Sequence, residues 1–465
     1  MKKNQVFTVV LCLFLLVFSK HNVFAQKSFQ LPTYEKFKLS NGLTVYLMEQ
    51  HEVPVINVST IIPAGAIYDK DQKGLASLTA NNLLFGTKNL SKSQIEEELD
   101  FLGASINTYA NKEFAALTAN FAAKDQDKVL KIIKEVLTKP VFNEIEFEKE
   151  KTKVLKDLER DKESPRAVIG NYWDKFMYGN HPYGNPVSGE ISSIKNLNAA
   201  DVKEFYKKNY GPSASAIAIV GDFNSKAMKA KITKMMNSWT KNASPADDLN
   251  IPFPDLNKSR VLLVNKEDAR ETTLLIGEKG VSRNNPDYEA IELVNTVLGG
   301  RFTSWLNDEL RVNSGLTYGA NSRFVSLKNN GTFYVSTFTA NATTKPTIDK
   351  ALEVLKKLND IGLDENTLIS AKNYVNGQFP PRYETSGQLA GFLTQMFWYN
   401  LNDSYINNFV NKISSLTLED TKKIISKYYT FPNLQFVLIG KSEDIKNIAK
   451  EYGEVIEKEI KSDSF

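Results

Sequence analysis

At 465 residues the chain is long for a single hydrophobic core, so two or more domains are expected. Its 42% hydrophobic and 24% charged residues exclude a disordered or coiled-coil chain. A formal charge of +4 without any basic run gives nucleic acid no electrostatic footprint.

The first 25 residues read as a targeting segment. Lys2 and Lys3 precede an apolar run from Val6 to Phe18, and "VFA" ends at Ala25 before Gln26. This is the charged, apolar and small-residue order of a cleaved secretory signal. The run falls short of the roughly 20 apolar residues that a bilayer span needs, so no membrane span is expected after cleavage. Removing residues 1–25 takes away Lys2, Lys3 and Lys20 and no acid, leaving 4 − 3 = +1. Cys12, the only cysteine, lies inside the run, and Leu11 before it is not the small residue a lipoprotein signal requires. A secreted, most simply periplasmic, chain without disulfides, thiol nucleophile or cysteine-held metal is expected.

Residues 30–237 form the first expected domain. Strands are read at "TVYLMEQ" and "VINVSTII", then a helix in "GLASLTANNLLFGT" (Gly74 to Thr87), with Leu75, Leu78, Leu83 and Leu84 as its core contacts. A second helix follows, with Ser91 and Gln94 as a capping box and Gly103 as its stop. Strands "SINTYAN" and "AALTANF" and the helix "DQDKVLKIIKEVL" come next. Residues 238–259, rich in Pro, Asn, Ser and Asp, read as a linker. The domain 260–460 then offers strands "RVLLVNK" and "TTLLIGE", the helix "DYEAIELVNTVLGG", a further helical stretch, strands "LTYGANSRFV" and "GTFYVSTFT", and the helix "TIDKALEVLKKL".

The matching order points to an internal duplication: an α+β fold of two homologous domains, each a mostly antiparallel sheet with helices packed on one face. Two unrelated α+β domains are the alternative.

Three segments together resemble the pitrilysin/insulinase family of inverse zinc metallopeptidases. They are "LSNGLTVYLMEQHEVPVINVSTIIPAGAIYD", "HPYGNPVSGEISSIKNLNAADVKEFYKKNYGPSASAIAIVGDF" and "RFTSWLNDELRVNSGLTYGANSRF". The family's signature is H-x-x-E-H on a helix framed by G-L-A and G-T. Imidazoles at i and i+4 share a helix face and bind Zn²⁺, and the Glu serves as base. Here the frame is kept and the donors are replaced. The His positions fall on Ser77 and Asn81, the Glu position on Ala80, and the distal Glu ligand maps near Asp157, within one residue. A hydroxyl and an amide are weak zinc ligands. The resemblance therefore implies no zinc on this chain and no peptide hydrolysis by it alone. Of the two histidines beyond the signal, His51 and His181, neither has a second His at ligand spacing. Ser77 lacks a G-x-S-x-G elbow and is not a triad serine.

The second-half signature keeps its functional residues. Matched position by position, the family's substrate-contacting Arg and Tyr are Arg311 and Tyr318. An Arg fork can hold a carbonyl or carboxylate, and a Tyr hydroxyl can stabilise an oxyanion. Without the family frame, such residues are ordinarily an ion-pair partner and a packing side chain. Asn107 and Thr108 fall on the strand whose edge pairs with extended peptide in the family. Two-chain bacterial members divide zinc motif and Arg/Tyr pair between subunits. The resemblance thus implies a subunit that lacks zinc and completes the site of a zinc-binding partner acting on peptides. A catalytically inactive peptide-binding or structural scaffold of the same fold is the alternative.

Overall fold

The computed structural model describes residues 29–240 and 251–465; the signal segment 1–25 with Cys12, and residues 241–250 of the expected linker, lie outside them. The first half runs β1 (Glu35–Lys38), β2 (Thr44–Glu49), β3 (Val55–Ile61), α1 (Leu75–Asn82), α2 (Lys92–Leu102), β4 (Ser105–Ala110), β5 (Ala115–Ala122), α3 (Gln126–Thr138), α4 (Glu144–Asp161), α5 (Pro165–Tyr178), α6 (Ala199–Asn209), β6 (Ala216–Gly221) and α7 (Ser225–Met236). The second runs β7 (Arg260–Asn265), β8 (Glu271–Lys279), α8 (Tyr288–Asn295), β9 (Ala320–Ser326), β10 (Gly331–Ala340), α9 (Thr344–Ile361), α10 (Glu365–Gln378), α11 (Ser386–Tyr399), α12 (Leu418–Tyr428), β11 (Gln435–Gly440), α13 (Ser442–Ala449) and β12 (Glu454–Glu459). Helices shorter than eight residues are left unlabelled.

Local chemistry sets these bounds. Ser91 and Gln94 exchange both bonds of a capping box at the start of α2, and Gly103 ends it in the left-handed region at φ 59°. On α3 the side chains of Val129, Leu130, Ile132, Ile133, Val136 and Leu137 are buried, the stripe of an amphipathic helix. The segment read as one helix through Gly300 changes after α8 to a π-helical turn, Thr296–Gly300. There the backbone of β9 comes so close that a Cβ on Gly299 would sit 2.2 Å from the Ser322 nitrogen.

The two sheets share one plan. Their orders are β1-β2-β6-β3-β5-β4 and β12-β7-β11-β8-β10-β9. β2–β6 and β7–β11 are parallel, whereas the three pairings from β6 and β11 outward to β4 and β9 are antiparallel. Only the outermost slot differs: β1 lies antiparallel to β2, and β12 parallel to β7. The chain is α+β and built from two homologous domains.

Each half packs its own helices on one face of its sheet. In the first, Leu47, Val58, Leu117 and Ile219 meet Leu78, Ile133 and Val202. The opposite faces are covered by exchange. Tyr46, Met48, Ala218 and Val220 turn into the second half's core, where α11 lies across β3 and β6 with Ala390 and Leu393. Conversely, α5 lies across β8 and β11, placing Val168, Ile169, Tyr172 and Trp173 on Leu275, Val437 and Ile439. Each fully buried large apolar side chain contributes about 1.5–3 kcal/mol relative to exposure.

A buried carboxylate fixes the junction. Glu113, in the β4–β5 turn, accepts from the Tyr183 hydroxyl at 2.5 Å and the Lys328 backbone N–H at 2.8 Å. Its other oxygen accepts from Trp398 Nε1–H at 3.2 Å. Phe114 packs edge-on to Trp398 with ring centroids 5.4 Å apart.

Because each sheet needs a helix from the other half, residues 29–240 and 251–465 expressed separately are expected to aggregate or bind a hydrophobic dye. Co-expressed, they should form a soluble 1:1 complex. Cooperative unfolding of either half alone, without dye binding, would contradict this dependence.

Candidate functional site

The helix that carries the emptied motif is held firmly at its start. Gly74 adopts φ +92°, and a Cβ there would lie 2.9 Å from Gly189 Cα, so both conformation and space demand glycine. The Asp69 carboxyl accepts from the N–H groups of Gly74 at 2.9 Å and Ala76 at 2.7 Å, satisfying two free donors of α1. Burial pushes Asp69 up to about 8, against the pull of those N–H groups and of Lys73. Leu75, Leu78 and Leu83 are buried, and Leu84 packs half-buried against the same core.

Ser77 and Asn81 lie half-buried, four residues apart on one face of α1, and Ala80 is buried. Asn81 Nδ2 donates to Glu150 Oε1 at 3.0 Å. Glu150 is a carboxylate the sequence reading did not single out. It precedes Asp157 by seven residues, two turns on the same face of α4, and that spacing is the signal that could have found it. Asp157 itself is paired with Arg160 at 2.8 Å.

An open cleft of about 520 Å³ brings Asn81 together with Asn107, Thr108, Glu146 and Glu150. Ser77, Ala80 and Asp157 do not line it. Its carboxylates are already matched by ammonium groups: Lys149 and Lys92 sit 2.6 and 3.1 Å from Glu146, and Lys153 sits 3.9 Å from Glu150. Both lysines hold Glu146 below its ordinary value through hydrogen bonds. No group of three or more His, Cys, Asp or Glu among the described residues could hold a metal. With no imidazole and with neutralised carboxylates, this donor set does not fit zinc.

Asn107 and Thr108 stand on β4, the edge strand, which pairs only with β5 among the described residues. Successive strand residues alternate, so Thr108 faces α1 with Ile106 and exposed Asn107 faces the other way. The histidines lie elsewhere. Exposed His51 bonds to Asp222 at 2.7 Å and Glu49 at 3.2 Å, which raises its pKa. His181 accepts the Tyr183 N–H at 3.0 Å within its turn, and burial lowers its pKa.

Arg311 and Tyr318 lie seven residues apart in the second half. Arg311 sits in a π-helical stretch, Asp308–Asn313, with its guanidinium 4.8 Å from the centre of the Phe302 ring. Tyr318 is 83% exposed and stacks loosely on Phe338 with ring centroids 6.5 Å apart. Its loop is pinned from β10: Thr337 Oγ1 donates to the Gly319 carbonyl at 2.9 Å, and Thr339 Oγ1 to the Leu316 carbonyl at 2.7 Å. Arg166, from α5 of the first half, lies 3.5 Å from the centre of the Phe338 ring. Phe302 and Val312 are 71% and 66% exposed. Neither Arg311 nor Tyr318 has an ion pair or side-chain hydrogen bond among the described residues, and neither lines the cleft at Asn81. A fork of donors and a phenol on an open aromatic surface can therefore bond to something outside the chain.

Comparison with known proteins gives this geometry a family. A model described as insulinase (peptidase family M16) matches residues 44–190, and one described as the peptidase M16 inactive domain matches residues 196–375. The chain belongs to the M16 insulinase family. Over 422 residues it is 24% identical to a Helicobacter pylori protein named non-peptidase homolog YmxG, covering 88% of this chain and 96% of the relative. Over 397 residues it is 19% identical to the uncharacterized zinc protease YmxG of Bacillus subtilis, covering 85% and 96%. The crystal structure of a peptidase M16 inactive domain from Pseudomonas fluorescens matches with a TM-score of 0.83 at 26% identity, over 88% of this chain and 98% of that one. This M16 protein has no zinc site of its own at the motif positions.

After dialysis against zinc and gel filtration, the purified chain is expected to retain well under one zinc per molecule by elemental analysis. Stoichiometric zinc would reveal another donor set. The pH dependence tests the cap. Asp69 holds its proton to about 8 in the folded state against 3.8 ordinarily, so its contribution to stability is complete at low pH and is lost as pH rises through that range. Between about pH 5 and pH 8 the Asp69→Asn protein should lose less stability in urea unfolding than the wild type. Equal slopes would mean that Asp69 is already charged.

Proposed function

We propose that this chain is the secreted, zinc-free subunit of a heterodimeric M16 peptidase. Its Arg311 and Tyr318 complete the active site of a zinc-bearing partner subunit. The observation that carries the reading is the pairing of two facts. The chain's own motif helix offers Ser77, Ala80 and Asn81 where metal chemistry needs His and Glu, while Tyr318 stands 83% exposed and Arg311, seven residues before it, has no ion pair among the described residues. A zinc ion held by the partner would supply the activation of water. Arg311 holds a peptide carbonyl or carboxylate by its fork, and the Tyr318 hydroxyl donates to the oxyanion as it forms. Such a donor is worth more in a site that closes against water, as a cleft between two subunits does.

Peptide is the substrate class this reading implies. The free edge of β4, with Asn107 and Thr108, can take an extended chain through backbone hydrogen bonds. The amino-terminal segment supports delivery outside the cytoplasm, with the periplasm as the simplest destination.

A second reading is a peptide-binding or structural scaffold without any catalytic contribution. The name of the Helicobacter pylori relative, a non-peptidase homolog, favours it.

The two readings separate in one reconstitution. Adding the purified chain to a zinc-bearing M16 subunit from the same source should raise hydrolysis of a fluorogenic peptide. Arg311→Ala or Tyr318→Phe should remove most of that gain, about 100-fold or more in kcat. Full activity of both variants would leave only the scaffold.

A further inference from the structure

A second cavity shares the strand β4 with the cleft at Asn81 but opens on the other side of the sheet. It opens between α11 and the outer part of the first sheet, on the face opposite α1, with a volume of about 230 Å³. Strand pairing lays two rows of uncharged polar side chains across this face: Ser105, Asn120 and Asn57, then Asn107, Thr118 and Ser59. Tyr109, 45% exposed, stands at the end of the same face of β4. The far wall is α11, contributing Gln395 and the backbone at Gly391.

Its chemistry differs from the rest of the surface. No side chain lining the cavity is charged, in a chain that is 24% charged. The cleft at Asn81, by contrast, is lined by lysines and glutamates. Asn120 Nδ2 donates to Asn57 Oδ1 at 3.0 Å, leaving an amide oxygen of one and an amide nitrogen of the other free. Ser105, Thr118, Tyr109 and Gln395 make no side-chain hydrogen bond within the described residues.

These features select a ligand class by elimination. A charged ligand finds no counter-charge to offset its desolvation. A wholly apolar one would leave the Ser105 and Thr118 hydroxyls and the Asn57 and Asn120 amides without partners, even though Val58, Ile61, Phe114, Ala116 and Ala119 also line the cavity. A peptide strand cannot pair here, because β3 and β5 already have neighbours on both sides and the free backbone edge belongs to β4. A neutral polyol fits. Its hydroxyls both donate and accept, matching the planar amides and the hydroxyls, and its C–H face can rest on the Tyr109 ring. We infer that the cavity between α11 and the first sheet is a binding site for a neutral saccharide, with Asn120, Gln395 and Tyr109 as its recognition residues.

Calorimetric titration of the full chain with neutral tetrasaccharides (β-1,4- and β-1,3-glucans, mannan and N-acetylglucosamine oligomers) tests the inference. At least one is expected to bind. Gln395→Ala and Asn120→Ala should each weaken it roughly tenfold. Gly391→Leu should abolish binding without lowering the melting temperature, since an added Cβ meets nothing within 4 Å and leucine favours the helix more than glycine does. Asn81→Ala, in the other cleft, should leave binding unchanged. The inference is overturned if no saccharide binds, if these variants bind as the wild type does, or if an uncharged Gly/Ser/Asn peptide occupies the cavity instead.

Discussion

The structure depends on one exchange: α5 of the first half seals the second sheet, and α11 of the second half seals the first. A six-stranded sheet with one face open would expose a large apolar surface, and each half solves this with the other's helix. Glu113 lies at the same junction. It gathers a tyrosine hydroxyl from its own half with a backbone amide and an indole N–H from the other. Loss of that acceptor would strand three buried donors, each costing about 1–3 kcal/mol. The halves therefore hold a set relation, and the cleft at Asn81 and the segment carrying Arg311 and Tyr318 cannot be treated as free to swing together.

Within that fixed relation, nothing among the described contacts joins Arg311 or Tyr318 to the emptied motif. The motif helix meanwhile remains a structural element. Its buried leucines, the Asp69 cap and the Gly74–Gly189 contact all serve packing. Where a divalent cation would neutralise carboxylates, lysine ammonium groups do so for Glu146 and Glu150. The cleft is electrostatically closed without metal.

Much of this was legible in the sequence, and the gaps have physical causes. Alternating or apolar runs marked β2 to β5 and their counterparts β7 to β10. Unmarked were β6 and β11, "AIAIVG" and "QFVLIG", which are buried on both faces and carry no alternation. The outermost strands β1 and β12 also went unread, since each is largely exposed and is stabilised by its neighbour more than by its own pattern. The helices α5 and α11 went unread as well; each is apolar on more than one side, and which sheet it covers is a long-range choice that no local pattern encodes. At the site, the motif frame located Ser77, Ala80 and Asn81, yet only coordinates show Asn81 bonded to Glu150. Asn107 and Thr108 were found as a pair, and the pleat then divides them between opposite faces of β4.

In the proposed function, Arg311 and Tyr318 meet the zinc site of a second chain. Residues 29–465 contain no cysteine, and Val312, next to Arg311, is 66% exposed. A thiol placed by Val312→Cys and labelled with an environment-sensitive fluorophore reads the contact directly. Adding the zinc-bearing subunit should shift its emission and protect it from a soluble quencher. A complex that forms with the label still fully open to quencher would contradict the claim.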